Sequence, residues 1–96
     1  MDGLIVEEPF ATQLVIGQKD IEYRTKPLPL TKHGVKVFIL NQGFVKGFVV
    51  FGNYSYDEDS KIFKWNVVES KEFSPYLKYK HKNGCVVWIN DVEISE

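Results

Sequence analysis

The feature that most constrains this fold is a long β-rich stretch, Phe44–Tyr56, which two glycines interrupt. Aromatic and β-branched residues dominate the stretch, and such residues favour extended backbone. Gly47 and Gly52 stand inside it, and a glycine within a strand often marks a bulge or a sharp bend. A long strand that bends twice is typical of a sheet that curls into a small barrel.

One short helix is expected near the start of the chain. Phe10 and Leu14 are four residues apart, as are Ala11 and Val15, so the four residues share one apolar helical face. Gly17 stands where a left-handed residue commonly ends a helix. We therefore predict a helix of about two turns, which needs packing against the rest of the fold to persist.

About six strands are expected in total. Besides Phe44–Tyr56, short apolar or alternating runs predict strands at Leu4–Val6, Lys19–Arg24, Val35–Leu40, Ile62–Glu69 and Cys85–Ile94. Segments 25–34 and 70–84 carry prolines and turn signals, so we expect them to be irregular. The pattern predicts an α+β fold that is mainly β, a small curved sheet or barrel of about six strands with one or two short helices that cap one side.

Length, composition and charge limit the possible functions. The 96 residues allow one domain, 1–96, and an apolar content of 44% is too high for a disordered chain. The net charge of −1 gives no general attraction to nucleic acid or membranes, so any basic surface must come from local clustering. The longest apolar run is too short to cross a bilayer, and the acidic first residues do not resemble a signal peptide. We therefore expect a cytoplasmic protein with no membrane partner.

The sequence shows no pattern typical of a metal or cofactor site. His33, His81 and Cys85 lack the spacing of a zinc site, and a single cysteine excludes an internal disulfide. The run Asp57-Glu58-Asp59 lacks the glycine and glutamate of a calcium loop, so we interpret it as a solvated hairpin turn. Glycine-rich phosphate-binding motifs are also missing from the sequence. We expect neither a metal nor a cofactor.

The charged segment after the helix is the first candidate binding site. Lys19, Glu22 and Arg24 lie within six residues of one another. Glu22 and Arg24 share one face of the predicted strand. If that face lines a cleft, the ammonium, guanidinium and carboxylate offer donors and an acceptor to a polar planar ligand. The alternative is an exposed strand whose charges pair in solvent.

A run of basic and aromatic residues at 78–82, called the basic run below, is the second candidate. Lys78, Lys80 and Lys82 alternate with Tyr79 and His81. Lysines contact phosphates and tyrosines stack on bases, so this composition suits nucleic-acid binding. The alternative is a solvated loop whose tyrosine belongs to the core.

A series of motifs spans nearly the whole chain. A Pro-aromatic-Ala helix start at residues 9–11 is followed by the segment Gly17-x-Lys19-x-x-Glu22-x-Arg24. Later matches are the segments 33–39 and 47–51, then Trp65, Gly84 and Trp88. This order resembles the ASCH family (activating signal cointegrator homology), whose domains are relatives of the PUA fold.

The resemblance implies a PUA-like β-barrel in which a helix lies beside a cleft that binds RNA or nucleotide-like ligands. It implies that Lys19, Glu22 and Arg24 line the cleft and that Phe10 lies at its edge. Arg24 and Lys19 would contact a phosphate or a base edge, and Glu22 would accept a hydrogen bond from a base amino group. The three lysines of the basic run would add contacts to the nucleic-acid backbone. A binding module is therefore expected rather than an enzyme.

Two alternative functions stay open. Some small bacterial ASCH proteins are amidohydrolases that deacetylate N4-acetylcytidine. Their sites contain a lysine, a threonine three residues after it, and a glutamate. Here Lys19 is retained, Glu22 stands in place of the threonine, and Glu69 could supply the further carboxylate. Thr25 is expected on the opposite strand face from Glu22. The other alternative is a protein-interaction domain whose exposed patch contains Tyr54, Tyr56, Tyr76 and Tyr79.

Overall fold

The computed structural model describes residues 1–95 and contains seven strands, one α-helix and a single turn of 3-10 helix. The strands are β1 (Gly3–Ile5), β2 (Ile21–Arg24), β3 (Lys36–Asn41), β4 (Phe44–Asp57), β5 (Ile62–Tyr79), β6 (Trp88–Ile89) and β7 (Ile94–Ser95). Helix α1 covers Phe10–Val15, and the 3-10 turn covers Leu30–Lys32. The prediction of a mainly β fold with short helices is confirmed. No helix within residues 1–95 is long and apolar enough to span a bilayer.

All seven strands belong to one sheet with the order β2-β5-β4-β3-β1-β6, and β7 pairs with the far end of β5. Within residues 1–95 no hydrogen-bonded ladder joins β2 to β6, so the prediction of a closed barrel is wrong. Strand β6 contains only two residues, and both pair with β1. One side chain of β2 reaches the other end of the sheet at β1, the neighbour of β6: Arg24 Nη2 donates to the Ile5 carbonyl at 3.0 Å.

The two glycines in β4 allow β5 to approach it closely. The register between the two strands shifts beside each glycine, as the prediction of bends requires. A Cβ atom on Gly47 would lie 2.0 Å from the Lys71 carbonyl oxygen. A Cβ atom on Gly52 would lie 2.8 Å from Val68 Cγ1. Side chains at these two positions would therefore push the strands apart.

The last third of the chain differs from the prediction. Segment 70–84, expected to be irregular, continues β5 as far as Tyr79, because it pairs with the first half of β4. Pro75 lies in a bulge of β5, where a missing N–H group is tolerated. The strand expected over residues 85–94 is reduced to β6 and the start of β7. Between them the chain turns at Asp91, whose φ is +51°.

Helix α1 packs on the sheet and covers the larger of two apolar cores. Its buried residues are Ala11, Leu14 and Val15, and Gly17 follows it with a φ of +79°, as predicted. The larger core also contains Leu4, Val6, Leu28, Val37, Ile39, Val49, Phe51 and Trp65. The smaller core is formed by Leu40, Val45, Tyr79 and Ile89. The larger core therefore holds α1 against the inner strands of the sheet, and β2 joins this body through the pairing of Glu22 with Trp65.

Candidate functional site

A cleft of about 540 Å³ opens where β2 meets the start of α1 and the segment before β6. Its apolar walls come from Ile5, Val6, Ile62 and Val86. Its polar and aromatic walls come from Glu7, Phe10, Lys19, Glu22, Tyr23, Arg24 and Thr25. The four residues that the sequence predicted around a cleft, Phe10, Lys19, Glu22 and Arg24, therefore line one concavity.

Glu22 is the centre of a cluster of charges that we call the charged triad (Lys19, Glu22 and Arg24). Glu22 pairs with Trp65 in the sheet, so its side chain faces inward and the residue is only 5% exposed. Its Oε1 lies 3.3 Å from Lys19 Nζ, and its Oε2 accepts from Arg24 Nε at 2.9 Å. A buried carboxylate requires such partners, because it has lost most of its hydration.

Arg24 has donors that the protein does not use. Its Nε and Nη2 are engaged by Glu22 and by the Ile5 carbonyl. Its Nη1 makes no hydrogen bond to any residue in the described part of the chain. A guanidinium has five N–H donors in a planar fork, so two of them point to no protein acceptor. The side chain is 22% exposed, so a ligand in the cleft can reach it.

Two aromatic rings frame Lys19. Its Nζ lies 4.7 Å from the ring centroid of Tyr23 and 5.6 Å from that of Phe10. It also donates to the Ile21 carbonyl. The rings attract the ammonium group through cation–π interaction and limit its movement. Both rings are about half exposed, so they offer apolar surface beside the charged triad.

The formal charges of the residues that line the cleft balance. The charged triad has two cations and one carboxylate, and Glu7 adds a second carboxylate to the walls. A site of this kind suits a ligand with both acceptor and donor groups better than it suits a simple anion.

The basic run does not line this cleft. Lys78 and Lys80 are exposed, and Lys80 Nζ lies 3.6 Å from a carboxylate oxygen of Glu93. Lys82 donates to a backbone carbonyl. Tyr79 is 7% exposed and belongs to the smaller core. The structure therefore separates these lysines from the charged triad.

The residues predicted for a hydrolase are brought together only in part. Glu69 is exposed on β5 opposite Val50, and it does not line the cleft with Lys19. Thr25 does line the cleft, although strand alternation placed it on the face opposite to Glu22. Strand β2 ends at Arg24, so the alternation no longer applies one residue later.

The four tyrosines expected in one patch are dispersed. Tyr54 and Tyr56 both contact Phe63, with ring centroids 5.7 and 4.6 Å away. Tyr76 lies far along β5, where its hydroxyl donates to a glutamate at 2.8 Å. Tyr79 is buried. The expected patch therefore reduces to two tyrosines near the β4–β5 turn.

Several lining residues were not predicted from the sequence. Ile5, Val6 and Glu7 come from one segment, Ile62 from a second and Val86 from a third, and only the curled sheet brings the three together. The first segment lies close to a predicted motif, the helix start at residues 9–11. Within residues 1–95 no group of three His, Cys, Asp or Glu side chains could hold a metal ion.

No protein-family model matches the chain, and no curated protein matches it at a significant level. The chemistry of the cleft is therefore the basis on which a function can be proposed.

Proposed function

We propose that this chain is a binding module of the ASCH kind that holds an RNA nucleotide, or a nucleotide-like ligand, in the cleft. The observation that carries the proposal is the charged triad within a concavity of about 540 Å³. Free guanidinium donors, an ammonium group and a carboxylate converge there beside two exposed rings. Planar nucleobases have donors, acceptors and a π face, so they match all of these groups.

Each member of the site has a distinct role in this proposal. Arg24 Nη1 donates to a phosphate or to a base carbonyl, and Lys19 contributes a further donor. Glu22 accepts from an exocyclic amino group, because an ionised carboxylate offers about four acceptor positions and the protein donors leave some of them free. Phe10, 47% exposed at the edge of the cleft, packs against the base. The lysines of the basic run contact only the backbone of a longer strand.

The amidohydrolase is the second candidate, and one observation favours it. Thr25 brings a hydroxyl to the walls of the cleft that also holds Lys19 and Glu22. Incubation with N4-acetylcytidine, followed by chromatography, tests for cytidine and acetate. Cytidine formation that is lost in both Lys19→Ala and Thr25→Ala would favour the hydrolase over a pure binding module. Activity that survives Lys19→Ala would contradict this mechanism.

The test of binding is a fluorescence titration of labelled single-stranded RNA at two salt concentrations. Three or four phosphate contacts predict a log–log slope of affinity on salt near −2 to −3. Lys19→Gln should weaken binding by about tenfold to a hundredfold, because one charge-assisted hydrogen bond contributes about 1.5–3 kcal/mol.

Lys71→Gln is the matched control for the same charge change. Lys71 is exposed on β5 and does not line the cleft. Its substitution should leave the affinity within about twofold, as expected for a surface charge away from the ligand. No binding of RNA at low salt, or an equal loss in the two variants, would contradict the proposal.

A further inference from the structure

A second concavity of about 550 Å³ adjoins the cleft, and we call it the aromatic recess. Arg24 and Thr25 line both spaces, so the two lie next to each other. Pro27, Trp65 and Trp88 form much of the remaining wall. The volume lies within the range typical of small-ligand sites, and the wall is mainly apolar with few polar groups.

Trp88 is held firmly in the wall of the recess. Its ring stacks on that of Trp65, with centroids 6.0 Å apart and planes inclined by 17°. Lys32 Nζ lies 5.3 Å from the Trp88 ring centroid. Trp65 and Lys32 each cover part of the indole, so a ligand meets only the part of the ring that lines the recess. Because both contacts already restrict the indole, a ligand that packs there costs little further conformational freedom.

The two tryptophans differ in what they can offer a ligand. Trp65 is 1% exposed, and its indole N–H donates to the Lys26 carbonyl at 3.0 Å. Trp88 is half-buried, and its Nε1 has no hydrogen-bond partner within residues 1–95. Trp88 therefore presents both exposed ring surface and a free donor, whereas Trp65 serves as its support.

The charges around the recess differ from those of the cleft. The charged side chains that line it within residues 1–95 are Arg24 and Lys26, and both are cationic. The cleft, in contrast, includes the carboxylates of Glu7 and Glu22. A phosphate is therefore favoured beside Arg24 at the junction of the two spaces, and Lys26 adds a second cation on the side of the recess.

We propose that the aromatic recess receives a second unpaired base, adjacent in the same strand to the nucleotide in the cleft. The linking phosphate lies at the junction, where Arg24 Nη1 is free, and the second base stacks on Trp88. The ligand class is thereby a single-stranded oligonucleotide of at least two nucleotides. This inference rests on the proposed function, because it requires a nucleotide in the cleft.

The test compares a ribonucleoside 5′-monophosphate with the dinucleotide of the same base by calorimetric titration. One additional base stacked on an aromatic ring should make the dinucleotide bind about tenfold more tightly to the wild-type protein. Trp88→Ala should remove this advantage and leave the affinity for the monophosphate within twofold. Tyr56→Ala, an exposed aromatic outside the recess, is the matched control and should keep the advantage.

The possible outcomes separate this inference from the proposed function. Equal affinities for the two ligands would contradict the proposed second base in the aromatic recess but not the proposed nucleotide in the cleft. No binding of either ligand would contradict both proposals. A loss of monophosphate affinity in Trp88→Ala would place the single nucleotide in the recess and contradict the two-site arrangement. If circular dichroism shows Trp88→Ala unfolded, Trp88→Phe decides, and its dinucleotide advantage must shrink with the smaller ring.

Discussion

Lys19 in the cleft and Lys80 in the basic run each have a carboxylate partner, but the two pairs lie in different environments. Lys19 and Glu22 are 3.3 Å apart, with side chains 16% and 7% exposed. Lys80 and Glu93 are 3.6 Å apart, with side chains 70% and 67% exposed. The first pair is partly desolvated and held by its surroundings, whereas water and salt screen the second.

The two pairs differ in exposure because different alternate residues of the two segments face the core. Both segments alternate charged and aromatic residues. In β2 the charged Glu22 faces inward and Tyr23 is 54% exposed. In the basic run Tyr79 faces inward, and the lysines on either side of it are exposed. A shift of one residue in phase therefore separates a candidate site from a solvated surface.

The largest expected effect is on the free energy of unfolding of Glu22→Gln. The substitution leaves Lys19 and Arg24 without their shared counter-charge in a partly buried site. Removal of one partner from such a group costs about 3 kcal/mol or more. Denaturant unfolding monitored by fluorescence measures the change.

Glu93→Gln is the matched substitution in the basic run. It removes the partner of Lys80, and because both groups are mostly exposed we expect no resolvable change in the unfolding midpoint. Equal destabilisation by the two substitutions would show that burial does not distinguish the two pairs.

A smaller effect is expected at Asp2, which connects Lys32 to the turn after β6. Its Oδ2 accepts from Lys32 at 2.6 Å, and its Oδ1 accepts from the Asp91 N–H at 2.9 Å. The bond from Lys32, followed by that from Asp91, holds the pKa of Asp2 below its ordinary value of 3.8. The stabilisation is therefore complete above pH 3.8 and is lost as the pH falls through the lowered pKa. Asp2→Asn should cost about 1–2 kcal/mol at pH 7.

The pH dependence of stability tests whether the hydrogen bonds of ionised Asp2 account for the expected loss in Asp2→Asn. The stabilities of wild type and Asp2→Asn, measured by unfolding between pH 7 and pH 2, should converge as Asp2 becomes protonated. The pKa of Glu8 is also lowered: burial opposes the shift, but hydrogen bonds from Lys46 and Thr12 outweigh it. Wild type and Asp2→Asn should therefore both lose stability at low pH as Glu8 becomes protonated. A constant difference between the two curves would contradict the assignment to Asp2.

The smallest effect is expected when the three lysines of the basic run are changed together to glutamine. The affinity for a nucleoside monophosphate should stay within twofold, because none of the three lines the cleft. For a longer single strand the slope of log affinity on log salt should weaken by about 2, if each lysine meets one phosphate. A marked loss of monophosphate binding would show that the basic run belongs to the site.

The short-range pattern was sufficient to predict most elements of the first two thirds of the chain. The helix at Phe10–Val15, the left-handed Gly17 and the bends at Gly47 and Gly52 each follow from local preferences. The extension of β5 to Tyr79 was not predictable in the same way. It depends on pairing with the distant first half of β4, which overrides the local turn signal at Pro75.

The sequence by itself determined that Lys19, Glu22 and Arg24 would lie close together and that Glu22 and Arg24 would share a face, because strand geometry fixes both. Only the tertiary structure decided that this face is turned inward, through the pairing of Glu22 with Trp65. It also decided that β2 and β6 stay apart as the two ends of an open sheet, which leaves room for the cleft and the aromatic recess. Both outcomes follow from strand pairing between residues far apart in the chain, of β2 with β5 and of β6 with β1, which short-range preferences do not specify.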